Sequence, residues 1–152
     1  QYTVSAQTSG GFELLRRSGS ITVNGDVAND VTLQWVVGSL AVRWGFYVNG
    51  QEYNCSSASI AQVWVNLQDS AGRWLYTNAS GQPEGYPLPC SYQGFDGAEF
   101  PYLPPDNYNV FIQAQDSVGT NYESNVEFLG RANAGVFPRL DSNSPFMWMA
   151  PY

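Results

Sequence analysis

The chain has no histidine, and its six basic residues, Arg16, Arg17, Arg43, Arg73, Arg131 and Arg139, leave no place for lysine. The commonest general base and the amine nucleophile are therefore both missing, and the groups left for chemistry are carboxylates, serines and tyrosines. Charged residues make up 12% of the 152, about half the usual share of about 25%. Only Arg16-Arg17 sets two cations side by side. With a net charge of −7, the chain offers little to a phosphate backbone, which is held by several Lys or Arg contacts, or to an anionic membrane. No run approaches the roughly 20 apolar residues of a spanning helix. Helical patterning is nearly lacking as well: FELLRR (Phe12 to Arg17) allows one or two turns, or equally a strand.

What is present is β-sheet material. The 43% hydrophobic and 15% aromatic fractions are those of a folded protein, and a single domain of this size buries roughly 68–70% of its unfolded surface. Short alternating runs of Val, Ile, Tyr, Phe and Trp, bounded by Gly, Pro, Asn and Asp, are the pattern of strands. They predict strands at Tyr2 to Gln7, Ser20 to Val23, Val31 to Val37, Ser39 to Val48, Ile60 to Gln68, Arg73 to Thr77, Glu99 to Tyr102, Asn107 to Gln115 and Tyr122 to Phe128. That number and spacing indicate an all-β, antiparallel two-sheet sandwich over residues 1–152. VNGD (Val23 to Asp26) and VNGQ (Val48 to Gln51) each carry Asn-Gly, which supplies the positive φ angles of a tight hairpin turn.

Two phrases are nearly the same: VWVNLQDSAG (Val63 to Gly72) and VFIQAQDSVG (Val110 to Gly119). In Asp-Ser-x-Gly the aspartate caps the turn through its side-chain oxygen and the glycine takes a left-handed conformation, so each phrase reads strand, turn, strand. The aliphatic sets, Val63, Val65 and Leu67 and then Val110, Ile112 and Ala114, belong to the core. Trp64 and Phe111 then point the other way with amides beside them. They either pack under a neighbouring loop or form an aromatic strip for a partner, a glycan or another protein.

Cys55 and Cys90 are the only cysteines. A metal or redox pair needs near spacing or histidine partners, so the expectation is a disulfide and an oxidising compartment. Such a bond would add about 3–4 kcal/mol by loop closure and hold the long Gly/Pro-rich segment from Thr77 to Phe100. That segment carries Tyr86, Tyr92 and Phe95, the first two being candidate ligand-stacking residues with Trp64 and Phe111. Beyond it, LPPDNYNV sets a corner in which the Tyr108 hydroxyl bonds backwards to the chain, a tyrosine corner.

GSLAVRWGFYVNGQEYNCSSASIAQVWVNLQDSAG, PCSYQGFDG and LPPDNYNV together resemble immunoglobulin- or fibronectin III-like sandwich domains of bacterial secreted proteins and lipoproteins. Trp44, Cys55, Val63, Val65, Leu67, Cys90, Leu103, Pro104 and Tyr108 occupy the matching places over residues 38 to 128. The resemblance implies a disulfide-bonded domain at or outside the cell surface and supplies no catalytic residue. Asp106 stands where that pattern has glycine, the chain lacks an initial lipidation cysteine, and both ends are extended.

Asp96, Glu99 and Asp106 are the acids to weigh for a glycosidase pair or a weak calcium site, though no EF-hand spacing exists. The expectation is that they are solvated turn residues, with no enzyme activity, metal or cofactor. The sequons Asn54-Cys55-Ser56 and Asn78-Ala79-Ser80 matter only to a host that glycosylates. Gln1 is compatible with removal of a secretion signal. The strand QYTVSAQT is set off by a flexible joint at Ser9-Gly10-Gly11, so residues 1–11 are a candidate exchanged strand, paired in its own sheet or a neighbour's. The tail SPFMWMAPY (residues 144–152) is too apolar to remain free. Either it docks on its own domain or, with the first strand, it completes the next subunit by strand addition. The chain is accordingly expected to be a secreted structural subunit of a filament or surface layer, with Tyr2, Val4, Phe146, Met147, Trp148, Met149 and Tyr152 as contacts. The other reading is an adhesion module that binds glycans.

Overall fold

The structure, a computed structural model, describes all residues except 23, 24, 26–29 and 125–127. Among the described residues there is no helix and every regular element is a strand. The first third contains β1 (Tyr2–Gln7), β2 (Glu13–Gly19), β3 (Gln34–Trp35), β4 (Gly38–Val48) and β5 (Gln51–Tyr53). Then come β6 (Gln62–Gln68), β7 (Tyr86–Pro89), β8 (Ser91–Tyr92) and β9 (Phe95–Leu103). The last are β10 (Asp106–Gln115), β11 (Asn121–Ser124), β12 (Phe128–Ala132) and β13 (Phe146–Pro151).

The all-β fold has two sheets, but they are unequal, one of three strands and one of ten, and the larger is curled rather than one flat layer of the expected sandwich. The larger runs β7-β6-β10-β11-β13-β4-β9-β8, with β12 also on β10 and β5 also on β4. Its two end strands are one stretch of chain: β7 and β8 are separated only by Cys90. The sheet therefore rolls round until its ends meet on the segment from Tyr86 to Tyr92, nearly a barrel. Closure is fixed at that point by the Cys55–Cys90 disulfide, Cα atoms 5.9 Å apart, and by the Cys90 N–H, which donates to the Ala61 carbonyl at 2.9 Å.

The inward alternation holds where the sequence is most regular. Val63, Val65, Leu67, Val110, Ile112 and Ala114 are all buried, around Trp44, Phe46 and Tyr108. The Tyr108 hydroxyl donates to the Pro104 carbonyl at 2.9 Å, the expected tyrosine corner, and burial pushes its pKa up to about 12. One pairing departs from the antiparallel expectation: β13 lies parallel to β4, from Phe146 opposite Arg43 to Met149 opposite Phe46. The tail thus enters its own sheet between β11 and β4. This buries Met147 and Met149 in the core while Phe146 and Trp148 stay on the surface.

The turns share one device. Asp69 Oδ1 accepts the N–H groups of Ala71 and Arg73, and Asp116 Oδ1 accepts those of Val118 and Thr120. Asn78 Oδ1 accepts from Ser80 and Gln82 in the same way, so NASG (Asn78 to Gly81) is a third copy with asparagine in place of aspartate. In TSGG (Thr8 to Gly11) the threonine hydroxyl accepts the Phe12 N–H and the Gly11 N–H donates to the Thr8 carbonyl. Ser9-Gly10-Gly11 is thus a hairpin turn rather than the expected flexible joint, and it returns β1 onto β2 from Tyr2 opposite Gly19 to Gln7 opposite Glu13. Phe12 to Arg17 is correspondingly extended.

Other expectations change for local reasons. Arg73 to Thr77 forms only isolated bridges, because the Asn66 amide takes both the N–H and the C=O of Tyr76 that a ladder would use. The long Thr77 to Phe100 segment is not a loop throughout: it supplies β7, β8 and the first six of the nine residues of β9. VNGQ makes its turn, with Asn49 at φ 49° and Gly50 at 83°. Ser20 to Thr22 forms no strand, and Val23, with the rest of VNGD apart from Gly25, lies outside the described residues, as do residues 125–127 of the strand expected at Tyr122 to Phe128, which begins as β11 and ends at the first residue of β12. Val31 to Val37 pairs only at Gln34 and Trp35.

Candidate functional site

The outer face of the main sheet is built by β6, β10 and β11, and the cross-strand register decides which side chains meet there. Gln113 lies opposite Trp64 on one side and Glu123 on the other. Pro87 lies beyond Trp64, and Ala150 beyond Glu123. Because antiparallel partners project to the same face, these five residues form one lateral row across five strands. Asn66 and Phe111 form a row on one side of it, and Gln115 with Asn121 a row on the other.

The segment from Trp74 to Gly85 makes a wall. Trp74 packs on Phe111 with ring centroids 4.9 Å apart. Asn66, itself buried, donates through Nδ2 to the carbonyls of Tyr76 and Glu84 at 2.9 and 3.2 Å, and its Oδ1 accepts the Tyr76 N–H. One side chain thereby staples the wall to the sheet. The close approach requires glycine: a Cβ on Gly85 would stand 2.7 Å from the Cβ of Trp64. Between wall and sheet lies a concavity of about 260 Å³ lined by Trp64, Trp74, Phe111, Gln113 and Glu123. A second depression, sharing Trp64, Gly85 and Gln113, continues past Gln115 and Asn121 to Tyr152. Trp64 is 37% exposed and Tyr152 68%.

Of the aromatic residues singled out in the sequence, Trp64 and Phe111 are brought together. Tyr86 is not with them. It lies opposite Val65, so it projects to the other side of the β6–β7 pair, where it stacks on Tyr76 at 5.2 Å. Tyr92 belongs to the β8–β9 hairpin, opposite Phe95. Sequence reasoning missed Trp74 and Tyr152 as members of this face. Trp74 comes from a segment whose strand pattern hid its role as a wall, and Tyr152 arrives only because β13 inserts beside β11.

The acids go to separate places. Asp96 accepts the Cys55 N–H at 2.8 Å and the Ser91 hydroxyl at 2.6 Å, bracing the disulfide from both sides. Glu99 accepts the Leu140 N–H at 2.7 Å and so holds the strap from residue 133 to 144 across β4 and β9. Asp106 is held below the usual carboxylate range chiefly by the Ser70 hydroxyl, with the Asn107 N–H adding to it. The expectation of solvated turn residues is corrected for Asp96 and Glu99, which are structural acceptors. Among the described residues no group of three or more Cys, Asp or Glu side chains is placed to hold a metal ion.

The expected assembly residues also divide. Met147 and Met149 are inside, which corrects their placement as contacts with another subunit. Phe146 and Trp148 lie 4.8 Å apart over Gly45, where a Cβ would meet both rings at 2.8 Å. Arg43 reaches between Phe95 and Phe146, 5.5 and 5.3 Å from their ring centres. Tyr2 lies over Gly19, and Val4 is exposed. Comparison of the chain with protein-family models, with curated proteins and with solved structures finds no match in any of the three.

Proposed function

We propose that this is a secreted, non-enzymatic structural protein whose copies join through the arm formed by β1 and β2 into an extracellular filament or surface layer. The observation that carries the proposal is the state of β1. It is the outer strand of the three-stranded sheet β1-β2-β3, and four of its six residues are exposed. The strand YTVSAQ has no charge and no proline, and its one irregularity is a register shift at Ala6/Gln7. Edge strands are ordinarily protected by such features because a bare edge is a template for another chain.

Charge supports a copy of the same chain as the partner. Glu13, Arg16 and Arg17 give the arm a formal charge of +1, so the net −7 leaves −8 on the remainder. Opposite signs on arm and body favour head-to-tail contact, and a heterologous contact that does not close makes a filament. Phe146 and Trp148 add exposed apolar surface on the body. Secretion rests on the disulfide, which persists in oxidising compartments. The same features support descent from immunoglobulin-like sandwiches of bacterial surface proteins: a tyrosine corner, and a buried tryptophan against the disulfide.

The test is electron microscopy and sedimentation of the whole chain beside Val4→Lys and Ser5→Pro variants. Filaments in the parent and monomers in both variants, with unchanged melting, are expected. A parent that stays monomeric at high concentration, a closed dimer, or variants that assemble as well as the parent would each sink the proposal.

A further inference from the structure

We infer that the outer face around Trp64 is a binding site for a neutral saccharide, a role independent of the arm. Three observations meet there. Trp64 and Tyr152 present exposed rings at two points of one groove, with Trp74 and Phe111 forming its far end. Beside Trp64, Gln113 and Glu123 stand opposite each other with no side-chain hydrogen-bond partner among the described residues. Among the described residues no Lys or Arg lines either depression, and the charged groups that do are Glu84 and Glu123.

Each observation removes a class of ligand. Two carboxylates without a cation repel phosphates, sulfates and uronic acids. A row of amides and a carboxylate beside the rings would be left unpaired under a purely apolar partner, which is costly. A neutral sugar ring meets both requirements. Its C–H face stacks on an indole, and its hydroxyls donate to Glu123 and exchange hydrogen bonds with the Gln113 amide. Successive outward residues along a strand are about 6.6 Å apart, so Phe111, Gln113 and Gln115 line a groove for a short oligosaccharide rather than one ring. The site is preformed, since Asn66 and Gly85 fix its wall, and preformed sites spend less of their binding energy on ordering.

The experiment titrates the whole chain with neutral hexasaccharides of glucose, mannose, xylose and N-acetylglucosamine, and with oligogalacturonate as the acidic control. Calorimetry gives affinity, and indole NMR signals report the position. At least one neutral sugar is expected to bind and to shift the Trp64 indole resonance. Trp64→Ala is expected to weaken it about tenfold or more, and Gln113→Ala to weaken it less, with melting unchanged. Trp148→Ala, on another part of the surface, leaves binding intact. The inference is overturned if no neutral sugar shifts Trp64 at millimolar concentration, if oligogalacturonate binds as well, or if both Trp64→Ala and Gln113→Ala bind like the parent. A second copy of the chain in the groove, seen as Trp64 shifts that depend on protein concentration alone, also overturns it.

Discussion

The Trp44 indole N–H donates to the Cys90 carbonyl oxygen at 2.9 Å, and both residues are buried. Cys90 is the hinge between β7 and β8, so this bond ties β4, which has only β9 between it and the end strand β8, to the place where the sheet's ends meet. Replacing Trp44 by Phe leaves the carbonyl without that donor and opens space beside it. The expected loss is about 1–3 kcal/mol for the unsatisfied group, with a packing cost in addition, read as a lower urea midpoint at unchanged slope.

The disulfide acts at the same place. Removing both sulfurs, as Cys55→Ala with Cys90→Ala, is expected to cost about 2–5 kcal/mol. Hydrogen exchange should rise first in residues 86–92, which close the sheet, and last in β6 and β10. Uniform loss of protection across all strands would contradict the closure role.

The parts of this fold that could be read from the sequence are those fixed by local chemistry. Alternation placed Val63, Val65 and Leu67 inside, Asn-Gly fixed the turn after Val48, and Tyr108 carried its corner within five residues of chain. What was hidden depends on contacts distant in sequence. Nothing near SPFMWMAPY says that it lies parallel to β4, because parallel pairing is set by the crossover. The third Asx turn was missed because Asn78 replaced aspartate, although an amide oxygen accepts the same N–H groups. Trp64 and Phe111 were legible as an outward pair, whereas their companions Trp74 and Tyr152 are delivered by a wall and a strand that only the assembled sheet positions.

Gly85→Ala tests that wall. The added Cβ would meet the Cβ of Trp64 at 2.7 Å, with the Trp64 backbone directly behind it. The expected outcome is a destabilisation of about 1–3 kcal/mol from overpacking, with a change in tryptophan fluorescence. Gly72→Ala, strained by a φ of 79° but with nothing near its Cβ, should destabilise without that spectral change.

Stability should depend on acid through the twin turns. The Arg73 backbone N–H holds Asp69 below its ordinary value, with the Arg73 guanidinium and the Ala71 N–H outweighing desolvation. Desolvation pushes Asp116 up, and the Thr120 and Val118 N–H groups with the Thr120 and Tyr122 hydroxyls outweigh it to leave the pKa lowered. A depressed carboxyl stabilises fully above its unfolded pKa of about 3.9 and loses that contribution as pH falls through the lower folded value. Urea midpoints should therefore hold from neutral pH to about pH 5 and drop toward pH 2. Asp69→Asn with Asp116→Asn, which copies the Asn78 turn, should flatten that drop.

Alkali works on the corner. Tyr108, raised to about 12 by burial, with the charges of Asp106 and Asp69 adding to it, binds its proton more tightly folded than unfolded. Its contribution is intact below the unfolded value of about 10 and disappears as pH rises toward 12. Tyr108→Phe should lower stability at pH 7 and reduce the further loss between pH 10 and 12.

The meeting of both sheet ends on residues 86–92 has a mechanical consequence. A sheet pulled apart from an outer strand unzips one hydrogen bond at a time, whereas a sheet that is sheared must break a whole row together. With its two outermost strands joined end to end and crosslinked at their junction, the main path offers tension no loose strand at which to begin. A domain wired in this way resists peeling, which is the property a fibre subunit under pull requires.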